Sequence, residues 1–183
     1  MSRIDQLIDS YFDFISIPWR NAAPDQRVVF CIYNQMEELK LRLKVEEFEL
    51  ATKQAKHGWE VLDLNETFAE WLSEDDYAEE FFNNPGDLMD LLPDEYLSFI
   101  IGKFKKWQEK SDIHVNTVVA IKGIGSLFGF IKIKDLVDEI SKLVPGRLLI
   151  FFPGSYENNN YRLLDAYDGW NYLAVPITPD KEF

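Results

Sequence analysis

The sequence has very few of the residues that build disulfides and metal sites. It contains one cysteine, Cys31, and two histidines, His57 and His114, in 183 residues. A single cysteine excludes an internal disulfide, which fits a reducing, cytoplasmic setting. Neither histidine has another histidine or a cysteine near it, so the usual spacing of zinc ligands is absent. We therefore expect no metal, and we interpret Cys31, which lies in an apolar run, as a small core residue.

Long apolar runs are also missing. No stretch reaches the ~18 apolar residues that a membrane-spanning helix needs. The start of the chain, MSRIDQLIDSYFDF, lacks the apolar core and small-residue cleavage site of a secretion signal. We expect no membrane contact and a cytoplasmic location. The length of 183 residues favours one domain over 1–183.

Lysine and arginine are absent between Gly58 and Gly102, a stretch that holds 13 acidic residues. We refer to residues 58–102 as the acidic segment. The whole chain has 32 acidic and 19 basic residues and a net charge of −13, so the excess negative charge lies in this segment. Proteins bind duplex DNA by neutralising its phosphates with lysine and arginine. The sequence therefore predicts no direct DNA binding.

Apolar, β-branched runs alternate with helical patterns along most of the chain. The predicted strands are 27–33, 59–64, 115–121, 147–152 and 170–175, and the predicted helices between and around them include 3–15, 36–57 and 127–143. Such alternation favours a parallel sheet covered on both faces. We predict a three-layer α/β fold with a mostly parallel, five-stranded sheet.

Residues 65–114 form a predicted helical insertion between the second and third strands. One helix is expected to end near Trp71, a second to run from Ser73 to about Phe82, and a third from about Pro93 to Glu109. The sequence NNPG at 83–86 is expected to interrupt the helices.

The turn after the first strand is where many α/β proteins bind a phosphate. Here it reads YNQMEELK, with no glycine and no Gly-Lys-Ser/Thr sequence, and Glu37 and Glu38 lie in the first helical turn. Carboxylates there take the electrostatic place of a phosphate. We predict a degenerate P-loop or AAA-type core without its phosphate loop, and the analogy to such cores suggests the strand order 5-1-4-3-2.

A glycine-rich turn, KGIGS, follows the third predicted strand. Gly123 and Gly125 could permit a tight turn that Ser126 caps, or they could expose backbone N–H groups to an anion. The second interpretation makes the chain a nucleotide-binding or nucleotide-sensing domain, and it stays open as an alternative.

Sequence signatures of catalysis are missing. There is no Gly-x-Ser-x-Gly and no His-Glu-x-x-His, and the paired acids at 73–76 are typical of a solvated helix start. We expect neither an enzyme nor a bound cofactor.

Two stretches are predicted to form recognition surfaces. The acidic segment carries aromatic residues, of which Trp71, Tyr77 and Phe81 are candidates for partner contact. The stretch FFPGSYENNN is a predicted polar loop at the end of the fourth strand, where α/β proteins often bind ligands. From this loop and the GIGSLF turn we select a second set of contact candidates: Gly123, Gly125, Phe128, Phe152, Pro153, Gly154 and Tyr156.

Several motifs, in their order along the chain, resemble the BrxB family of the BREX phage-exclusion systems of bacteria and archaea. The most specific are Gly123-Ile-Gly125 followed by Phe128-Gly-Phe130, and Phe151-Phe-Pro-Gly154 followed by Tyr156. The resemblance spans nearly the whole chain and is weakest between about Asn65 and Gln108.

The resemblance implies a component of a multiprotein defence system against phage. Other subunits of that system carry its chemistry, and the family brings no catalytic residues to this chain. We expect a non-catalytic adaptor that binds other BREX subunits, above all the PglZ-like protein, and a homodimer is a further option. A third hypothesis is an acidic DNA mimic that occupies a basic groove of a partner.

Overall fold

A mostly parallel β-sheet forms the centre of the computed structural model, which describes residues 1–166 and 169–180. Its strands are β1 (Val28–Tyr33), β2 (Gly58–Asp63), β3 (Thr117–Lys122), β4 (Arg147–Glu157), β5 (Asn160–Leu163) and β6 (Val175–Ile177). The principal helices are α1 (Arg3–Ile15), α2 (Glu38–Gln54), α3 (Thr67–Ser73), α4 (Ala78–Asn83), α5 (Pro85–Leu91), α6 (Leu97–Gln108) and α7 (Ile133–Leu143). The α/β class and the mostly parallel sheet are as predicted.

The strands lie in the order β2-β3-β4-β1-β6, and each pair in that row is parallel. This is the order suggested by analogy to P-loop cores, with β6 as the last strand. Strand β5 lies outside this row and pairs antiparallel with residues 154–157 at the end of β4. All parallel strands therefore end at one edge of the sheet, which we call the carboxyl edge, and begin at the opposite, amino edge.

Alternate residues of the strands pack against two separate layers of helices. On one face, Val29, Cys31 and Phe151 contact a core built with α1 and α2. On the other, Phe30 and Ile150 belong to the core that α6 and α7 complete. Strands β1 and β3 are buried almost throughout, and β4 is buried over 148–153, which explains the continuous apolar sequences of these stretches. Cys31 is fully buried, and burial raises the pKa of its thiol.

The insertion between β2 and β3 is helical, as expected, and the helices are interrupted within 83–86, where α4 ends at Asn83. The prediction missed α5, which begins at Pro85 directly after this break. Proline is well suited to that position, because the first N–H groups of a helix have no partner within it. A π-helical turn, Leu92–Tyr96, joins α5 to α6, so α6 itself starts later than predicted.

Three other boundaries differ from the predictions. Helix α7 begins at Ile133 rather than near residue 127, because Ile124–Leu127 forms a 3-10 turn and a loop follows it. The predicted strand 170–175 contributes only a bridge from Trp170 to Tyr161, and β6 follows at 175–177. The predicted polar loop after the fourth strand is a β-hairpin, in which Asn158 and Asn159 both have positive φ. Two such residues form the tight turn that twisted hairpin strands favour.

Candidate functional site

At the carboxyl edge, the turn from β1 into α2 is held by its own side chains. Asn34 caps the turn by accepting a hydrogen bond from Met36 N at 2.9 Å. The Tyr33 hydroxyl donates to the Glu38 carboxylate, and Arg42 Nε donates to Glu38 Oε1 at 2.8 Å. Burial, followed by the bond to Glu38, raises the pKa of Tyr33. A carboxylate paired within the chain thus lies in the first turn of α2, where a P-loop would hold a phosphate.

The same network continues across the ends of β2 and β3. Arg42 Nη2 donates to Asn65 Oδ1 at 3.2 Å, and Asn65 N and Nδ2 donate to Asp63 Oδ1. Asp63 also forms an ion pair with Lys122 at 3.3 Å. Charges of both signs are therefore matched along this edge, from Tyr33 on β1 to Lys122 on β3.

The KGIGS turn packs into this network. Gly123 has a φ of +86°, and a Cβ there would lie 2.8 Å from Asn65 N, so the position requires glycine. The Ser126 hydroxyl donates to Gly123 O at 2.7 Å within the turn. Gly125 lies against Pro153, and a cleft of about 280 Å³ opens between this turn, Pro153 and the start of α2.

A larger cleft lies on the other side of the β1–α2 turn. Its volume is about 590 Å³, and its walls include Met36, Gly154 and Tyr156. The ion pair between Arg3 and Asp180, 2.5 Å long, closes one side of it. The structure thus brings the predicted Gly154 and Tyr156 together with the turn before α2 in this cleft. It brings the predicted Gly123, Gly125 and Pro153 together in the smaller cleft beside it.

The other predicted contact residues have different environments. Phe152, Trp71 and Phe81 are buried in or beside the core, so their side chains offer no surface to a partner in this conformation. Phe128 and Tyr77 are exposed, but they lie on separate parts of the molecule: Phe128 beside α7 and Tyr77 before α4. Phe82, which was not selected from the sequence, is exposed next to the buried Phe81.

Sequence reasoning missed a line of exposed apolar residues that begins in the 3-10 turn before α2 and continues along the outer face of that helix. We call it the α2 stripe: Met36, Leu39, Leu43 and Leu50, whose residues are 86%, 74%, 85% and 56% exposed. The signal was present, because these residues recur at helical spacing on the side opposite the buried Leu41, Val45 and Phe48. The core of the protein covers one apolar face of α2 and leaves the other exposed to solvent.

Within 1–166 and 169–180, no three His, Cys, Asp or Glu side chains are grouped so that they could hold a metal ion. Over the same residues, none of the helices combines the length and the apolar character needed to cross a bilayer.

Comparison with known protein families identifies a match over much of the chain. The family model described as BREX protein BrxB matches residues 60–177, which is more than half of the chain. No curated protein and no solved structure matches significantly. The matched region includes the KGIGS turn, the β4–β5 hairpin and most of the acidic segment, whereas the α2 stripe precedes it. The chain therefore belongs to the BrxB family, whose members are components of BREX phage-defence systems.

Proposed function

We propose that this protein is a non-catalytic adaptor of a BREX complex and that it binds the PglZ-like subunit through the α2 stripe. The observation that carries the proposal is the exposure of three leucines on the outer face of α2 and of Met36 in the 3-10 turn before it. Contiguous exposed apolar surface of this kind is typical of protein interfaces. A groove in the partner that receives a helix would contact residues at this spacing.

The cleft of about 590 Å³ beside Met36 extends the same surface to the carboxyl edge. Met36 belongs both to the α2 stripe and to the cleft, so a partner on the stripe would also reach Gly154 and Tyr156. Long apolar side chains such as that of methionine adapt to varied partner surfaces. The acidic segment would attract a basic partner surface and speed the encounter.

The absence of catalysis is part of the proposal, and the carboxyl edge supports it. In related α/β architectures this edge carries the reactive groups. Here Glu38 accepts hydrogen bonds from Tyr33 and Arg42. Arg42 also donates to Asn65, and Asp63 forms an ion pair with Lys122, so the charges at this edge are matched within the chain. This pairing also favours the adaptor over the nucleotide-binding alternative, because a bound phosphate would have to displace Glu38 from Arg42.

The test compares two variants of equal charge. Leu39→Gln combined with Leu43→Gln shortens the apolar stripe, and Glu139→Gln combined with Lys142→Gln changes two exposed positions of α7 that pair only with each other at 2.7 Å. Each variant is measured for affinity to the purified PglZ-like subunit by calorimetry, with circular dichroism as a check on folding.

We expect the α2 variant to bind at least about tenfold more weakly, because burial of one leucine contributes roughly 1.5–3 kcal/mol and 1.4 kcal/mol is tenfold in affinity. The α7 variant is expected to bind like the unmodified protein. Equal affinity of the unmodified protein and a folded α2 variant would contradict the proposal.

A further inference from the structure

Two arginines lie side by side at the amino edge of the sheet, far from the surfaces described so far. Arg27 immediately precedes β1, and Arg147 is the first residue of β4. These strands are parallel neighbours, and Val28 is in register with Leu148, so Arg27 and Arg147 take adjacent places in the two strands. Like charges at neighbouring strand positions repel each other, and such a pair costs stability unless an anion compensates it.

No carboxylate compensates the pair within 1–166 and 169–180. Arg27 Nη1 donates to the carbonyl oxygen of Pro145, and its Nε is buried with no hydrogen-bond partner. Arg147 makes one long hydrogen bond, 3.5 Å, to the carbonyl oxygen of Arg20. None of the ion pairs between described residues involves Arg27 or Arg147, although the chain has 32 acidic residues.

Aromatic packing positions Arg147. Its guanidinium carbon lies 5.1 Å from the centre of the Trp19 ring. The same ring stacks on His57 at 3.9 Å, and Asn116 Oδ1 lies 2.6 Å from His57 Nδ1. Burial, and then the neighbouring charge of Arg27, lower the pKa of Arg147. The Trp19 ring thus orients Arg147 and the Pro145 carbonyl orients Arg27, and neither contact neutralises the positive charge.

We propose that Arg27 and Arg147 form a binding site for carboxylate groups in an acidic segment of a partner protein. Guanidinium groups present parallel N–H donors that match the two oxygens of a carboxylate, and a bound carboxylate would relieve the repulsion between them. An acidic peptide fits better than a single-stranded nucleic acid, because the Trp19 ring is already stacked on His57 and is therefore a poor platform for a nucleotide base.

This site is independent of the α2 stripe, so either proposal can fail without the other. The probe is a fluorescein-labelled octaglutamate peptide, titrated with the whole protein at low salt and followed by fluorescence anisotropy. A labelled oligothymidylate of eight nucleotides is titrated in parallel.

The variants are Arg27→Gln with Arg147→Gln, and the conservative Arg147→Lys. The matched control is Lys105→Gln with Lys106→Gln, which removes two exposed cations that form no ion pair with the described residues. We expect the arginine double variant to bind the peptide at least about tenfold more weakly and the lysine control to stay within about twofold. Arg147→Lys keeps the charge and loses the parallel donors, so its affinity should fall between the two.

Melting temperature provides a second readout. Because Arg147→Lys keeps the positive charge at this position, it should leave the melting temperature of the free protein unchanged. The octaglutamate peptide should raise that temperature less than in the unmodified protein, because lysine lacks the parallel donors. If the double variant fails to fold, the affinity of folded Arg147→Lys decides the test. The proposal is overturned if the unmodified protein does not bind the peptide, if the arginine variants bind it as tightly as the lysine control, or if oligothymidylate binds more tightly than the peptide.

Discussion

Helices α2 and α7 cover opposite faces of the same sheet, and they differ in what they show to solvent. The inner face of α7 buries Ile133, Leu136 and Ile140, while its outer face is charged, with Lys134 paired to Asp138. Helix α2 buries an equivalent inner row, yet its outer face carries the α2 stripe. Packing within this fold accounts for the apolar residues of α7, but among those of α2 it accounts only for the inner row. The α2 stripe is therefore the surface that we propose for a partner.

The largest expected effect of a single change in this comparison is on the α7 side. Leu136 is 1% exposed in the core, so Leu136→Ala leaves a cavity. We expect it to lower the free energy of unfolding by about 2–5 kcal/mol. Urea denaturation followed by circular dichroism measures this directly.

The matched control is the same substitution in the α2 stripe. Leu43 is exposed to water in the free protein, so Leu43→Ala should change the unfolding free energy by no more than about 0.5 kcal/mol. If Leu43→Ala destabilised the isolated protein as much as Leu136→Ala, the stripe would be serving the fold, and the contrast between the helices would disappear.

An intermediate effect is expected where α2 begins. Glu38→Gln keeps the shape of the side chain but removes the charge that pairs with Arg42 and accepts from the buried Tyr33. We expect a loss of about 1–3 kcal/mol in unfolding free energy, as for other charged hydrogen-bond partners at partly buried sites. The measurement is again urea denaturation at neutral pH.

Its control lies on α7, where Glu139 pairs with Lys142 on an exposed surface. Glu139→Gln should cost at most about 0.5 kcal/mol, because exposed pairs four or fewer residues apart contribute little. If Glu38→Gln and Glu139→Gln lowered the unfolding free energy equally, the network at the start of α2 would contribute no more than a surface ion pair.

The strands were predictable because parallel strands buried on both faces leave a continuous apolar signal, whereas their order came from the analogy to P-loop cores. Runs such as VVFCIY and TVVAIK identify β1 and β3 from the sequence alone. The Asn158–Asn159 hairpin was missed because polar residues in a tight turn look like those of an open loop. Helix α5 was missed because Pro85 can either end a helical pattern or begin a helix.

The candidate site was only partly predictable, for a physical reason. Sequence identifies glycines that a turn requires, and Gly123 and Gly125 do lie at the carboxyl edge beside Pro153. Periodicity does not tell which of two apolar faces of a helix is covered, so the sequence did not identify the α2 stripe as exposed. The same limit explains why Trp71 and Phe81 were selected although they are buried, while the exposed Phe82 was not.

The most direct test of the central claim is hydrogen–deuterium exchange of the protein alone and in complex with the PglZ-like subunit. Peptides covering 36–54 should become more protected in the complex, while peptides covering 133–143 on α7 should exchange at the same rate in both states. Unchanged exchange across α2 in a complex that has formed, with protection elsewhere, would contradict the claim that the α2 stripe is the adaptor surface.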